Sequence, residues 1–438
     1  MGSASGPACS RSFRPGARRG RSGQEERFTL EARKKAISLA PSAFLLATLG
    51  LILSAPGPGA RAAQIADVAG EDFGAEAKLL YRVVACSGNA PLPANLDPKI
   101  IDRHCQPLKA RMNRYRRVYL ARAQPFLAAL RPSGLPDTVV YPFGGGDLLA
   151  ALTTYPDARR ITTLSLELSG DPRRITSIDN TRLDHSLDVV DHNIEGLLTA
   201  NDSTTETLMD TQQGDLPGQL SYFLVALAVH GFEPVALRYF HVQPDGSLHY
   251  YTAAEVSTME TRLARARHGE WTSPDFSEAF ANSELVFRPV GSDGPLRVHR
   301  HIGANLRDDS LKNDGPILTY LRSQGRVVAM TKAASYCLWN SRFSRIRNYL
   351  LANMVFMISD GTGIPPALAR QAGFVQETYG SFKGAMCFDD CPSTVYNDQF
   401  KVLWASQPQR KLGFRYGYLD SKSSYHLLVT RRAPPAKL

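Results

Sequence analysis

Residues Thr138–Leu168 run TVVYPFGGGDLLAALTTYPDARRITTLSLEL, and three patterns follow one another in them. Thr138 to Tyr141 is a short apolar, β-branched run closed by Pro142, which predicts a buried strand. Pro142-Phe143-Gly144-Gly145-Gly146 predicts a tight loop. Asp147 then stands where a helix N-cap belongs, ahead of an apolar helix reaching Thr154. Ile161 to Leu168 predicts a second strand, with Glu167 near its end. Strand, Gly loop, helix, strand and acid within about 30 residues outline a nucleotide-binding βαβ half. In such a unit Gly144, Gly145 and Gly146 let a ligand approach backbone N–H groups beside Asp147. The acid after the second strand accepts hydrogen bonds from a ribose.

Working outward, strands and helices continue to alternate. Ala75–Val84, Pro107–Leu130, Asp184–Thr199 and Leu216–Gly231 have helical patterning, with Pro125 placed to kink the second. Pro234–Val242 and Ser247–Thr252 form a hairpin around Pro244-Asp245-Gly246, and a helix follows over Ala253–Ala266. Ser283–Pro289 pairs with Leu296–Ile302. Helices at Pro316–Ser323 and Phe343–Ala352 flank a strand at Arg326–Thr331. Further strands fall at Met354–Ser359, Phe374–Glu377, Gly413–Tyr418 and Tyr425–Thr430, with an amphipathic piece at Gln399–Ala405. The expected class is α/β, Rossmann-like, with a mainly parallel sheet and antiparallel additions. No internal repeat is present.

The chain has 438 residues and a formal net charge of +10, which invites a polyanion partner. Position argues against nucleic acid. Residues 1–62 hold 10 Lys+Arg and 3 Asp+Glu, leaving 41 against 38 in the other 376. Within that leader, Ser3–Arg27 lacks apolar periodicity. Arg33-Lys34-Lys35, the apolar core Ala43–Leu53, Pro56-Gly57-Pro58-Gly59 and Ala60-Arg61-Ala62 then follow in the order of a Sec signal. Cleavage gives a periplasmic or secreted protein; the alternative is an inner-membrane anchor. The dense apolar core is 11 residues long, against about 20 for a spanning helix. No membrane span is expected after the signal. The expected organisation is a leader at 1–62, a helical segment at 63–135, and an α/β domain at 136–438 with a hairpin insertion near 233–302.

Export permits disulfides. Cys86 and Cys105 flank a Pro-rich loop and are expected to bridge, as are Cys387 and Cys391, leaving Cys337 as a buried odd thiol. Zinc at Cys387-x3-Cys391 lacks a nearby second ligand pair. His185, Asp188 and His192 fall on one helix face, but two turns span about 10 Å, too far for one ion. A solvated acidic face is the better reading. His299 and His301 alternate on a strand and are expected on a polar outer face. Basic residues on the long helix, Lys109, Arg111, Arg114, Arg116, Arg117 and Arg122, are expected to be solvated. The chain therefore offers no strong metal-ligand set.

Several segments resemble an uncharacterised family of exported bacterial proteins. They are Val140–Asp147, Leu164-Ser165-Leu166-Glu167 with Gly170-Asp171, Thr331–Tyr336 (TKAASY), Ser359–Pro365 (SDGTGIP) and Gly413–Tyr418 (GFRYGY). They span most of the chain after the leader. The resemblance implies export and a single large unit, and brings no reaction with it. The first segment is also similar to the first motif of Rossmann-like methyltransferases. It departs from them in having Pro142-Phe143 before the glycines and no spaced G-x-G-x-x-G run. The periplasm is also a poor source of S-adenosylmethionine. Asp360, closing an apolar strand, joins Gly144, Gly145, Gly146, Asp147 and Glu167 as a ligand-site candidate. Lys332 and Ser335, three apart, are weaker candidates for a base and nucleophile on one helix face. The expected function is binding of an unknown small molecule in the sheet crevice, cofactor and reaction unknown. Alternatives are a non-catalytic envelope protein with a degenerate core and a methyltransferase-like enzyme.

Overall fold

The computed structural model describes residues 70–200, 215–265, 277–312, 315–385, 394–418 and 425–433. The expected leader at 1–62 and the Cys387/Cys391 pair, expected to bridge, lie outside them. A ten-stranded mixed sheet organises the rest, with helices on both faces.

Three helices open the described chain: α1 (Gly74–Val83), α2 (Pro98–Tyr115) and α3 (Ala121–Leu130). The predicted long helix thus begins earlier than expected, where Asp97 caps it and Pro98 takes the first turn. It passes through Pro107. A π turn at Arg116–Leu120 separates α2 from α3, and Pro125 lies inside α3. The basic face is only partly solvated. Arg111 pairs with Asp191, and Arg116 donates to Ala228 O (2.6 Å) and Val229 O (2.8 Å) at the end of another helix. Cys86 and Cys105 are bridged, which ties α2 to the segment after α1.

Strand β1 (Thr138–Pro142), helix α4 (Leu148–Thr154) and strand β2 (Arg160–Ser165) form the expected βαβ unit. Asp147 caps α4 by accepting from Ala150 N–H at 3.0 Å. β2 ends earlier than the pattern suggests. The chain leaves the sheet at Leu166, which is exposed, so Glu167 sits two residues beyond the strand.

Helix α5 (Asn180–Glu195) presents His185, Asp188 and His192 to solvent. Helix α6 (Gly218–His230) is buried along almost its whole length and ends at Gly231 in the left-handed conformation. Strands β3 (Phe232–Val242) and β4 (Leu248–Tyr250), helix α7 (Ala253–Arg265), and strands β5 (Ser283–Pro289) and β6 (Arg297–Gly303) follow. Next come α8 (Pro316–Ser323), β7 (Val327–Thr331), α9 (Ser344–Asn353), β8 (Met354–Ser359), α10 (Pro366–Gln371), β9 (Phe374–Gly380), α11 (Thr394–Ala405) and β10 (His426–Arg432).

The sheet order is β4-β3-β5-β6-β2-β1-β7-β8-β10-β9. Its centre, β6-β2-β1-β7-β8, is parallel throughout. The β3-β4-β5 group and β10 add antiparallel pairs at the two sides. Side-chain alternation splits the core. Val139, Tyr141, Ile161, Val328 and Met330 face α1–α6, while Val140, Leu164, Ala329 and Met357 face α8–α10.

Two expectations are corrected here. Gly413–Tyr418 is not a strand: Phe414 and Tyr416 are buried in the core while the backbone N–H of Tyr418 turns to a carboxylate. Cys337 is unbridged but half-buried rather than buried.

Candidate functional site

β1 runs to β2 on one side and has β7 on the other, so the strand order reverses between β1 and β7. In open α/β sheets that reversal opens a crevice outside the carboxyl ends of the strands. The loops after β2, β1, β7 and β8 all emerge at this edge. They carry Glu167, Gly144–Asp147, Lys332–Tyr336 and Asp360–Gly363 respectively.

The loop after β1 meets the loop after β7 through one ion pair. Lys332 Nζ lies 2.6 Å from Asp147 Oδ2, and both side chains are buried. Burial raises the Tyr141 hydroxyl well above its usual range, and the Asp147 charge beside it adds to the effect. Tyr141 therefore stays protonated and donates to Asp147 Oδ2 at 3.1 Å. Asp147 thus serves three partners: the α4 cap, Tyr141 and Lys332.

The backbone of both loops is strained. Phe143 has φ 61°, Ala333 51°, Ser335 46° and Tyr336 55°, left-handed values that residues with a Cβ adopt at a cost. Strain of this kind persists where surrounding structure over-determines it and gathers at functional sites. The glycines have packing reasons of their own. A Cβ on Gly144 would come within 2.8 Å of the Tyr141 ring, and one on Gly146 within 2.6 Å of Gln219 Oε1.

Asp360 is fully buried and its oxygens are engaged. It accepts from Ala333 N–H (2.9 Å), Thr362 N–H (2.9 Å), the Thr362 hydroxyl and Tyr418 N–H (3.1 Å). Asp360 thereby clamps the β7 loop, the β8 loop and the Gly413–Tyr418 segment together. Arg347 of α9 steadies the same region by donating to Leu338 O and Asn340 O, each at 3.0 Å.

Lys332 and Ser335 sit in a loop, not on a helix, so they share no helix face. Ser335 is exposed with its hydroxyl 3.2 Å from that of Tyr418, while Lys332 is buried against Asp147. His299 and His301 share one sheet face as expected, but that face is buried rather than outward. Phe223 of α6 packs on both rings. Thr163 Oγ1 lies 2.9 Å from His299 Nε2 and 3.0 Å from His301 Nδ1, and His301 Nε2 lies 2.8 Å from Glu167 O. Burial lowers His299 well below its ordinary pKa and His301 to about 4, so both are neutral at pH 7.

The same edge carries polar atoms with nothing to bond. Ser165, Thr331 and Ser359 are the last residues of β2, β7 and β8, and each has a buried hydroxyl oxygen without a hydrogen-bond partner. Glu167 Oε2 and both amide atoms of Gln219 are in the same condition. Lys332 Nζ differs from them in having Asp147 Oδ2 as its ion-pair partner at 2.6 Å. Gln219, Ser165, Thr331 and Ser359 do not stand out as site residues when the sequence is read by motif. The three hydroxyls share a signal, a small hydroxyl at the strand end with a charged residue one or two places on (Ser165-x-Glu167, Thr331-Lys332 and Ser359-Asp360), whereas Gln219, in helix α6, has none.

Comparison with models of protein families, with curated proteins and with solved structures finds no match.

Proposed function

We propose that this is an exported protein that binds a small polar molecule at the carboxyl edge of a Rossmann-like sheet, in the crevice flanked by β1 and β7. The observation that carries the reading is the run of buried, unpartnered polar atoms at that edge: Ser165 Oγ, Glu167 Oε2, the Gln219 amide, Thr331 Oγ1 and Ser359 Oγ. Leaving such a group unsatisfied costs about 1–3 kcal/mol, so several at one edge point to a species that completes them. The mix of donors and acceptors suits a neutral, hydroxyl-rich or amide-bearing ligand.

The parallel strands support the Rossmann-like part. Numbered in chain order they fall as 3-2-1-4-5, the first part of a doubly wound sheet. The reversed β10 then lies between β8 and the final β9. That order and the Glu167 position favour a nucleoside-type ligand among the polar candidates.

A second reading has specific support. Lys332 occupies the Asp147 carboxylate, Asp360 is spent within turns, and the two glycines are explained by side-chain packing. These features favour a degenerate core in a non-catalytic envelope protein. A thermal-shift screen of the protein without its leader decides between the two, using nucleosides, nucleotides, S-adenosylmethionine, amino acids and sugars. Binding predicts a saturable rise in Tm that Glu167→Gln and Gln219→Leu reduce. A degenerate core predicts no shift with any of them.

A further inference from the structure

Away from that edge, the β3–β4 hairpin brings two histidines together. The register sets His241 directly opposite His249. Their rings are tilted against each other, with centroids 4.9 Å apart and planes 42° apart. We propose that His241 and His249 form a surface site for a divalent transition-metal ion, with Glu255 as the positioning residue.

The tautomer makes His249 a ready ligand. Its Nε2 lies 2.8 Å from Glu255 Oε1. An ionised carboxylate only accepts, so Nε2 carries the proton and Nδ1 keeps its lone pair. A carboxylate behind a histidine is the usual support of a metal-bound imidazole, fixing the ring and raising its basicity. Glu255 is itself held. Its Oε2 accepts from Thr252 N–H (2.8 Å) and the Thr252 hydroxyl (2.9 Å), while Glu255 N–H donates back to Thr252 Oγ1 (3.3 Å). This capping box at the start of α7 fixes the carboxylate with respect to the hairpin.

Across the hairpin His241 is exposed, and the His249 and Glu255 side chains remain about two-fifths exposed, so an ion can enter with its own waters. Two imidazoles suit Zn²⁺, Ni²⁺ or Cu²⁺, whereas Mg²⁺ and Ca²⁺ want oxygen ligands. Directly opposed positions on an antiparallel pair are close enough for both rings to reach one ion.

The test is calorimetric titration of tag-free protein with ZnCl2 and with NiCl2, with MgCl2 as control. One equivalent of Zn²⁺ or Ni²⁺ is expected to bind, and Mg²⁺ none. His241→Ala and His249→Ala should each weaken binding at least tenfold, and Glu255→Gln by about tenfold. The solvent-exposed pair on α5 supplies the counter-test: His185→Ala/His192→Ala should leave the titration unchanged. No stoichiometric binding, or binding lost in the α5 variant and kept in His241→Ala, would overturn the proposal.

Discussion

At the residue scale the account turns on Lys332 and Asp147. Removing one partner of a buried ion pair strands the other charge, at a cost of about 3–5 kcal/mol. Lys332→Met and Asp147→Asn should therefore each lower stability by about that amount in urea denaturation. The double variant should lose less than the sum of the two, because no lone charge is left. The α4 cap is kept in both variants, by asparagine in one and by Asp147 itself in the other, so the losses report the stranded charge rather than the cap. Additive losses would mean that the two side chains do not depend on each other. Gly417 belongs to this scale too. It has φ 70°, and a Cβ there would lie 2.0 Å from Asp360 Oδ2. Gly417→Ala should loosen the clamp that joins three loops, measured as faster amide exchange at Ala333 and Tyr418.

At the scale of elements, the βαβ unit was legible because every local signal agreed: a β-branched run, a Gly loop, an Asp cap and an apolar helix. The end of β2 was not, because Leu166 continues the apolar pattern although it points to solvent. The histidines of β6 show the same limit. Alternation put both on one face, but which face is covered depends on α6, which reaches them from far along the chain through Phe223. Gly413–Tyr418 read as a strand because aromatics alternate in it. They alternate because Phe414 and Tyr416 enter the core of a segment that never joins the sheet. The Cys86–Cys105 bridge was legible from spacing and from the export that the sequence leads one to expect. Replacing both by serine should cost about 2–5 kcal/mol, seen as a lower urea midpoint. An unchanged midpoint would mean that α2 is held by packing alone. Phe223→Ala should cost about 3–5 kcal/mol, since its ring covers the buried histidines.

For the molecule as a whole, those histidines set an acid limit. His301 is held neutral by burial with a pKa of about 4, against about 6.5 in the unfolded chain, and His299 is shifted in the same direction. Between these values the unfolded chain binds more protons, so stability rises with pH. The contribution is complete above pH 6.5 and is lost as pH falls toward 4, about 3 kcal/mol for His301 alone. Urea midpoints measured from pH 7.5 to pH 4 should fall across that window, and less steeply in His301→Gln. The candidate edge itself was half legible. Gly144–Asp147, Glu167, Lys332 and Asp360 were visible as strand-end residues, but which of their atoms are spent was not. Hydrogen bonds made across loops leave no local pattern, so only the fold separates the saturated Asp360 from the unsatisfied Glu167 and Gln219. A crystal structure of the protein without residues 1–62, grown with the strongest hit of the thermal-shift screen, tests the central claim most directly. The account predicts ligand within hydrogen-bond distance of Glu167, Gln219 and Lys332. Ligand bound elsewhere, with those three side chains closed on one another, would contradict it.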